Sequence, residues 1–148
     1  MTVNAADVYS AKLTTAERAM TSIATGETVS CGMAIGQPPA LLAATADRLR
    51  TGDLGKIRLY YKIAKEPLAS SLLAEDVIEK VNAHSFFMGA PDHVTIRRQV
   101  ASGRKQVSFV PVHFRSGRRN SDRVFARAPP GCARQIHPLG CPYIGRGR

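Results

Sequence analysis

No stretch of this sequence stays apolar for long. The longest uninterrupted run of small apolar residues is Pro39 to Ala44, far short of the roughly 18 residues a helix needs to cross a bilayer. Met1 to Ser10 shows no basic head followed by an apolar block, so no secretory signal is expected. Cysteine is scarce and odd in number: Cys31, Cys132 and Cys141. Without a secretory signal, that count predicts reduced thiols in a cytoplasmic protein rather than a disulfide framework. Acidic residues nearly vanish toward the end of the chain, where Asp122 is the one acid after residue 114, and lysine is missing there altogether.

The charge is divided accordingly. Of the net +10 carried by 148 residues, residues 115–148 supply eight arginines and a net of +7, whereas residues 1–114 supply a net of +3. The same last quarter concentrates Pro129, Pro130, Pro138 and Pro142 with Gly117, Gly131, Gly140, Gly145 and Gly147. This break in composition predicts a folded domain over residues 1–114 and an irregular Arg/Gly/Pro-rich tail over residues 115–148. Clustered arginine also opens a nucleic-acid reading, because it neutralises phosphates. The tail, however, has just Phe125 and Tyr143 as aromatics, in no stacking arrangement, so nonspecific binding is expected and not recognition of a defined sequence. Cys132, His137 and Cys141 are spaced Cys-x4-His-x3-Cys with no fourth ligand, so no metal site is assigned.

What is present is enough for a core: 44% of the residues are hydrophobic. The body alternates helical and extended patterns. Thr14-Thr15-Ala16-Glu17 fits a capping box opened by Thr14, starting a helix that runs to about Ala24 with Ala16, Met20 and Ile23 inward. Thr28 to Met33 reads as a strand. Pro39 suits the first turn of a helix, since its missing amide hydrogen would be unbonded there; that helix buries Leu41, Leu42, Thr45 and Leu49 and stops near Gly52. Ile57 to Ile63 is predicted as the second strand and Leu72 to Val81 as a helix. A strand at Ser85 to Met88 follows, then a helix over Asp92 to Ala101 that offers Val94, Ile96 and Val100 for burial, and a strand over Gln106 to Phe114. Alternation of this kind implies crossover connections, hence an α/β fold with a Rossmann-like, mostly parallel sheet of about four strands and flanking helices.

In open sheets of this class ligands sit beyond the carboxyl ends of the strands. Gly32-Met33-Ala34-Ile35-Gly36-Gln37-Pro38-Pro39 lies at such an end. Its glycines would let backbone approach a thioester oxygen or a phosphate, or else serve the geometry of a tight strand-to-helix turn. Cys31, with no histidine or basic residue beside it, reads as a small buried strand residue and not a nucleophile. His84, His93 and His113 fall on separate elements, and Arg97-Arg98 reads as a solvated pair that could face a phosphate.

These residues resemble a known family. Lys12-Leu13-Thr14-Thr15-Ala16-Glu17, then Val29 through Leu42, are similar to the start of the acetyl-CoA hydrolase/transferase family, which includes 4-hydroxybutyrate and related acetate CoA-transferases. Ile57-Arg58-Leu59-Tyr60 resembles its second strand. Phe86-Phe87-Met88-Gly89, Arg97, Val100, Gly103-Arg104 and Phe109 through Phe114 resemble its next segment. The likeness runs in register over about residues 10–114. It implies an N-terminal α/β half whose partner half carries a catalytic glutamate. That carboxylate attacks an acyl-CoA thioester, passes through an anhydride and becomes a glutamyl-CoA thioester, which a small carboxylic acid or water resolves. No residue of this chain matches that glutamate; Glu66, Glu75 and Glu79 read as solvated surface, so no catalytic residue is assigned. The resemblance places Gly32, Met33, Gly36, Gln37 and Pro38 nearest the substrate. Coenzyme A enters as substrate, with no cofactor.

After Phe114 the resemblance stops. Ala128-Pro129-Pro130 begins like the family's next motif and then departs, and reading the codons of Pro130 to Leu139 one nucleotide later permits Pro-Asp-Ala-His-Gly-Lys-Phe-Thr-Leu-Ser, close to that motif. The expectation is a truncated or frameshifted product whose tail was not selected to fold. Its partners would be acyl-CoA, a small carboxylic acid, and a missing C-terminal half or a second copy of the chain; no membrane and no specific nucleic acid are expected. Two other readings stay open: a non-catalytic partial domain that binds CoA or a partner subunit, and a basic nucleic-acid-associated protein.

Overall fold

In the computed structural model, residues 4–104, 107–111 and 133–136 are described. After a first helix, α1 (Ala5–Lys12), come α2 (Ala16–Met20), β1 (Thr28–Cys31), α3 (Pro39–Thr51) and β2 (Ile57–Tyr61). They are followed by α4 (Glu66–Ala69), β3 (Val81–Ser85), α5 (Ala90–Ser102), β4 (Val107–Phe109) and β5 (Ala133–Ile136). The strands form one sheet in the order β4-β3-β2-β1-β5, every neighbouring pair parallel. The four expected strands are thus present in an α/β fold, and four residues from the Arg/Gly/Pro-rich region add a fifth strand beside β1.

From β1 to β4 the chain always steps in the same direction across the sheet, and right-handed crossovers then lay the connecting helices on one face. The registers show the division. Val29, Leu59, Ala83 and Val107 are aligned across four strands and all buried, sharing a cluster with Leu41, Leu42 and Leu49 of α3. The neighbouring row, Ser30, Tyr60, His84 and Ser108, points to the other face and is half-buried. Tyr60 stacks on His84 with ring centroids 4.6 Å apart.

The α3 helix follows its sequence closely. Pro39 takes the first turn, Leu41, Leu42, Thr45 and Leu49 face the core, and Gly52 ends the helix in the left-handed conformation at φ +84°. Two side chains fix it to its surroundings. Arg48 donates Nη1 to the carbonyls of Met20 and Ile23, satisfying the end of the α2 turn. Lys80 donates Nζ to the carbonyl of Leu49 in the last turn of α3.

Elsewhere the elements are shorter than predicted or displaced. The cap of α2 is Thr15 and not Thr14: its Oγ1 accepts the Arg18 N–H at 3.3 Å, and the α-helix ends at Met20, with Ile23 buried in the turn beyond. The helix predicted over Leu72 to Val81 is absent. That segment is a series of turns, closed by Leu73 N–H to Leu68 O and Val77 N–H to Ala74 O, with a 3₁₀ turn at Ile78–Lys80. Leu72, Leu73 and Val77 are still buried, so apolar spacing reported burial correctly and conformation wrongly. The strand predicted at Ser85 to Met88 begins earlier, at Val81, and has finished by Ser85.

Helix α5 occupies its predicted place with a different inward face. Val94 and Val100 are exposed, whereas Asp92 and Thr95 are buried. The polar inward groups are satisfied: Thr95 Oγ1 donates to Pro91 O at 3.2 Å, and Gln99 Oε1 accepts the Val107 N–H at 3.0 Å. Strand β4 spans Val107–Phe109 and stops short of Val110 and Pro111, which the predicted Gln106–Phe114 strand included; Gln106 and residues 112–114 lie outside the described residues. No helix among the described residues is long and apolar enough to cross a membrane.

Candidate functional site

The carboxyl end of β1 runs directly into the bend that the sequence singled out. Ala34–Gly36 form a 3₁₀ turn, with Gly36 N–H donating to Met33 O at 2.9 Å and Gln37 N–H to Ala34 O at 3.2 Å. The bend folds back so tightly that a Cβ on Gly32 would lie 2.2 Å from the carbonyl oxygen of Gly36. No side chain fits there, so glycine at 32 is demanded by the loop's own backbone. Gly36 is different: a Cβ on it would meet nothing within 4 Å. Ala34 sits in the left-handed region at φ +49°, which costs an L-residue energy and shows how tightly the turn is wound.

What holds the bend is Gln37. Its side chain is buried and bridges to the loop after β2: Nε2 donates to Ile63 O at 2.6 Å, and Oε1 accepts Lys65 N–H at 3.1 Å. Pro38, also buried, leads into α3. The five residues named from sequence are therefore contiguous in space but do unequal work. Gly32, Gln37 and Pro38 build the bend, and Met33 is exposed together with Ile35 at its tip. The tip of the bend is exposed, whereas its Gln37–Pro38 end is buried.

At the carboxyl ends of β2 and β3 and the start of α5 lies a buried polar group that sequence reading did not assemble. Tyr61, the last residue of β2, donates its hydroxyl to Asp92 Oδ1 of α5, and Asp92 Oδ2 accepts the Gly89 N–H at 2.7 Å. Ser85, fully buried at the end of β3, donates to Phe87 O at 3.0 Å. Burial, and then the bond to Asp92, hold the Tyr61 hydroxyl well above the usual phenol range. The available signal was Gly89-Ala-Pro-Asp92, a helix start with a carboxylate at its third position reaching back to the preceding amide. Cys31 completes the floor. Burial pushes its thiol up to about 12, so it is not a ready nucleophile, in keeping with the sequence reading.

Other candidates are dispersed. Glu75 faces Arg98 at 3.7 Å and Glu79 bonds Arg104, all of them exposed. Glu66 is exposed in the first turn of α4, one residue beyond the Lys65 amide that Gln37 holds. Glu27 is buried and accepts the Ala24 N–H at 3.0 Å. His84 lies on β3 and His93 on the surface of α5, not together. His113, Cys132, His137 and Cys141 lie outside the described residues.

No protein-family model matches this sequence, and no curated protein matches it. Solved structures do. The crystal structure of RipA from Yersinia pestis is similar with a TM-score of 0.75 and 37% identity over 79% of this chain. Two single-residue variants of RipA match with TM-scores of 0.76 and 0.74 at 36% and 38% identity, over 79% and 77% of this chain. This chain spans 27% of the length of RipA, and 27% and 26% of the two variants.

Proposed function

We propose that this chain is the N-terminal portion of an acyl-CoA transferase or hydrolase, shaping one wall of a thioester site whose reactive carboxylate comes from outside it. The likeness to RipA supports a CoA-transferase-like domain at the level of the family. The observation that carries the finer reading is the Gly32–Pro38 bend, held rigid at the carboxyl end of β1 with Met33 and Ile35 outward. That is where open α/β sheets take their ligands.

In the chemistry this reading implies, a glutamate oxygen attacks the thioester carbon and the C–S bond breaks. The released CoA thiolate then attacks the glutamyl carbonyl of the resulting anhydride, freeing the original acid and leaving glutamyl-CoA. An acceptor carboxylate, or water, ends the cycle. This chain's share is positional. The bend would line the thioester, and the buried Tyr61–Asp92–Gly89 group would keep the strand ends fixed while charge moves above them. Its glutamates are occupied otherwise: Glu27 is buried in a backbone bond, Glu75 and Glu79 are in ion pairs, and Glu17 and Glu66 are exposed at helix starts.

Calorimetric titration with CoA and acetyl-CoA tests the proposal. The purified chain binds CoA without turning over acetyl-CoA, and Met33→Asp weakens binding at least tenfold. Absence of CoA binding at millimolar ligand, or binding indifferent to Met33→Asp, overturns the assignment. Acetyl-CoA hydrolysis by a highly pure sample would move the reacting carboxylate into this chain, with Glu66 the first to substitute.

A further inference from the structure

The segments that leave β1, β2 and β3 at their carboxyl ends are joined sideways. Gln37, at the end of the bend, holds the loop after β2 at two points, Ile63 O at 2.6 Å and the Lys65 N–H at 3.1 Å. On its other side that loop continues the ladder with the segment after β3. Phe86 donates its N–H to Tyr61 O and Phe87 donates to Lys62 O, both at 2.9 Å. Gly89 closes against the same loop, so near that a Cβ on it would stand 3.5 Å from Ala64 O and from Ile63 Cγ2. Residues 62–65 are therefore clasped between the bend on one side and the start of α5 on the other.

Asp92 secures the α5 side of this clasp. It is fully buried. Its Oδ1 accepts the hydroxyl of Tyr61, the residue just before the loop, and its Oδ2 accepts the Gly89 N–H at 2.7 Å. Taking the carboxylate away would leave a buried hydroxyl and an amide without their acceptor. A displacement of Tyr61 or Gly89 reaches Ile63 and Lys65 through close-packed neighbours, and Ile63 O and the Lys65 N–H are the two groups that fix Gln37. We propose that Asp92 is a positioning residue for the Gly32–Pro38 bend, acting through residues 62–65 and Gln37 and touching no ligand itself. That the bend so positioned receives CoA rests on the functional reading above; the link from Asp92 to the bend does not.

Amide hydrogen exchange of the full 148-residue chain without ligand reads the link, and the CoA affinity of the same samples reads its consequence. Asp92→Ala speeds exchange at the Gly36, Gln37 and Lys65 amides at least tenfold. The Gly26 and Leu54 amides, bonded near the amino ends of β1 and β2, stay within twofold. Asp92→Asn keeps the parent's rates, because its amide oxygen accepts the Gly89 N–H and its NH2 group donates to the Tyr61 oxygen. Tyr61→Phe, which leaves Asp92 on Gly89, speeds the same three amides at least threefold and decides the matter if Asp92→Ala does not fold. On a Gln37→Leu background, adding Asp92→Ala changes Gly36 exchange less than twofold further. The CoA dissociation constant rises at least fivefold in Asp92→Ala and returns to the parent's value in Asp92→Asn. Equal acceleration at Gly26 and Leu54 would make Asp92 a general stabiliser and overturns the proposal. Bend amides that do not respond, or an Asp92→Asn chain that behaves like Asp92→Ala, overturn it as well, as does CoA binding indifferent to Asp92→Ala. A parent chain that binds no CoA overturns the functional reading alone, since the exchange rates still decide whether Asp92 holds the bend.

Discussion

Cys31 and Tyr61 illustrate how a single buried side chain links the sheet to solution conditions. The Cys31 thiol, ordinarily near 9.0, is pushed up to about 12 by burial. Below pH 9 it carries its proton whether the chain is folded or not, and its contribution to stability is complete. Between pH 9 and about 12 the unfolded chain loses the proton and the folded one keeps it, so stability falls as pH rises. The slope approaches about 1.4 kcal/mol per pH unit for one such group. Tyr61 is raised as well, by burial and its bond to Asp92, and adds to the loss once pH passes the usual phenol value. Urea midpoints measured from pH 8 to pH 11 should drop steadily, and Cys31→Ala should flatten the early part of that decline. A midpoint constant across the range would mean that the thiol is solvated.

Among the elements, the bend after β1 separates two glycines that sequence alone treats as equivalent. Gly32→Ala forces a Cβ against the Gly36 carbonyl, backbone on backbone, and should cost about 1–3 kcal/mol in denaturant unfolding, as overpacking does. Gly36→Ala meets open space and should stay within about 0.5 kcal/mol of the parent. Equal effects would show that the bend is not wound as described. The sequence made this bend and α3 legible because proline, glycine and the Leu41-Leu42-Thr45-Leu49 pattern all agree there. It did not make residues 72–81 legible: Leu72, Leu73 and Val77 have helical spacing, but consecutive tight turns bury the same three side chains. Nor did apolarity mark the inward face of α5. Asp92 lies inside because Tyr61 and the Gly89 amide satisfy its two oxygens, a pairing across 31 residues that no local pattern contains. Gln37 was named for its position beside a substrate, and its role as the brace to Ile63 and Lys65 emerges from the tertiary contacts.

For the whole molecule, charge and topology set the terms. The net charge of +10 should bind any polyanion at low ionic strength. Heparin and unrelated DNA duplexes should be retained alike below about 0.1 M salt and released together as salt rises, with no preference for sequence, since counterion release is what drives such binding. A salt-resistant complex with one defined sequence would instead favour a dedicated nucleic-acid role.

The strand order carries a consequence for assembly in time. From β1 to β4 every new strand joins the one made just before it, so each pairing closes a loop of modest length, Ile57 to Val81 for example. The pairing of Thr28 with Ala133 closes one about four times as long. At roughly 0.6 kcal/mol for each doubling, pairing them in the open chain would cost about 1.2 kcal/mol more chain entropy, a difference that vanishes once β1 to β4 are paired and only Phe109 to Ala133 remains to be closed. The four-stranded part can therefore zip up neighbour by neighbour, leaving β5 as the latecomer that completes an edge already built.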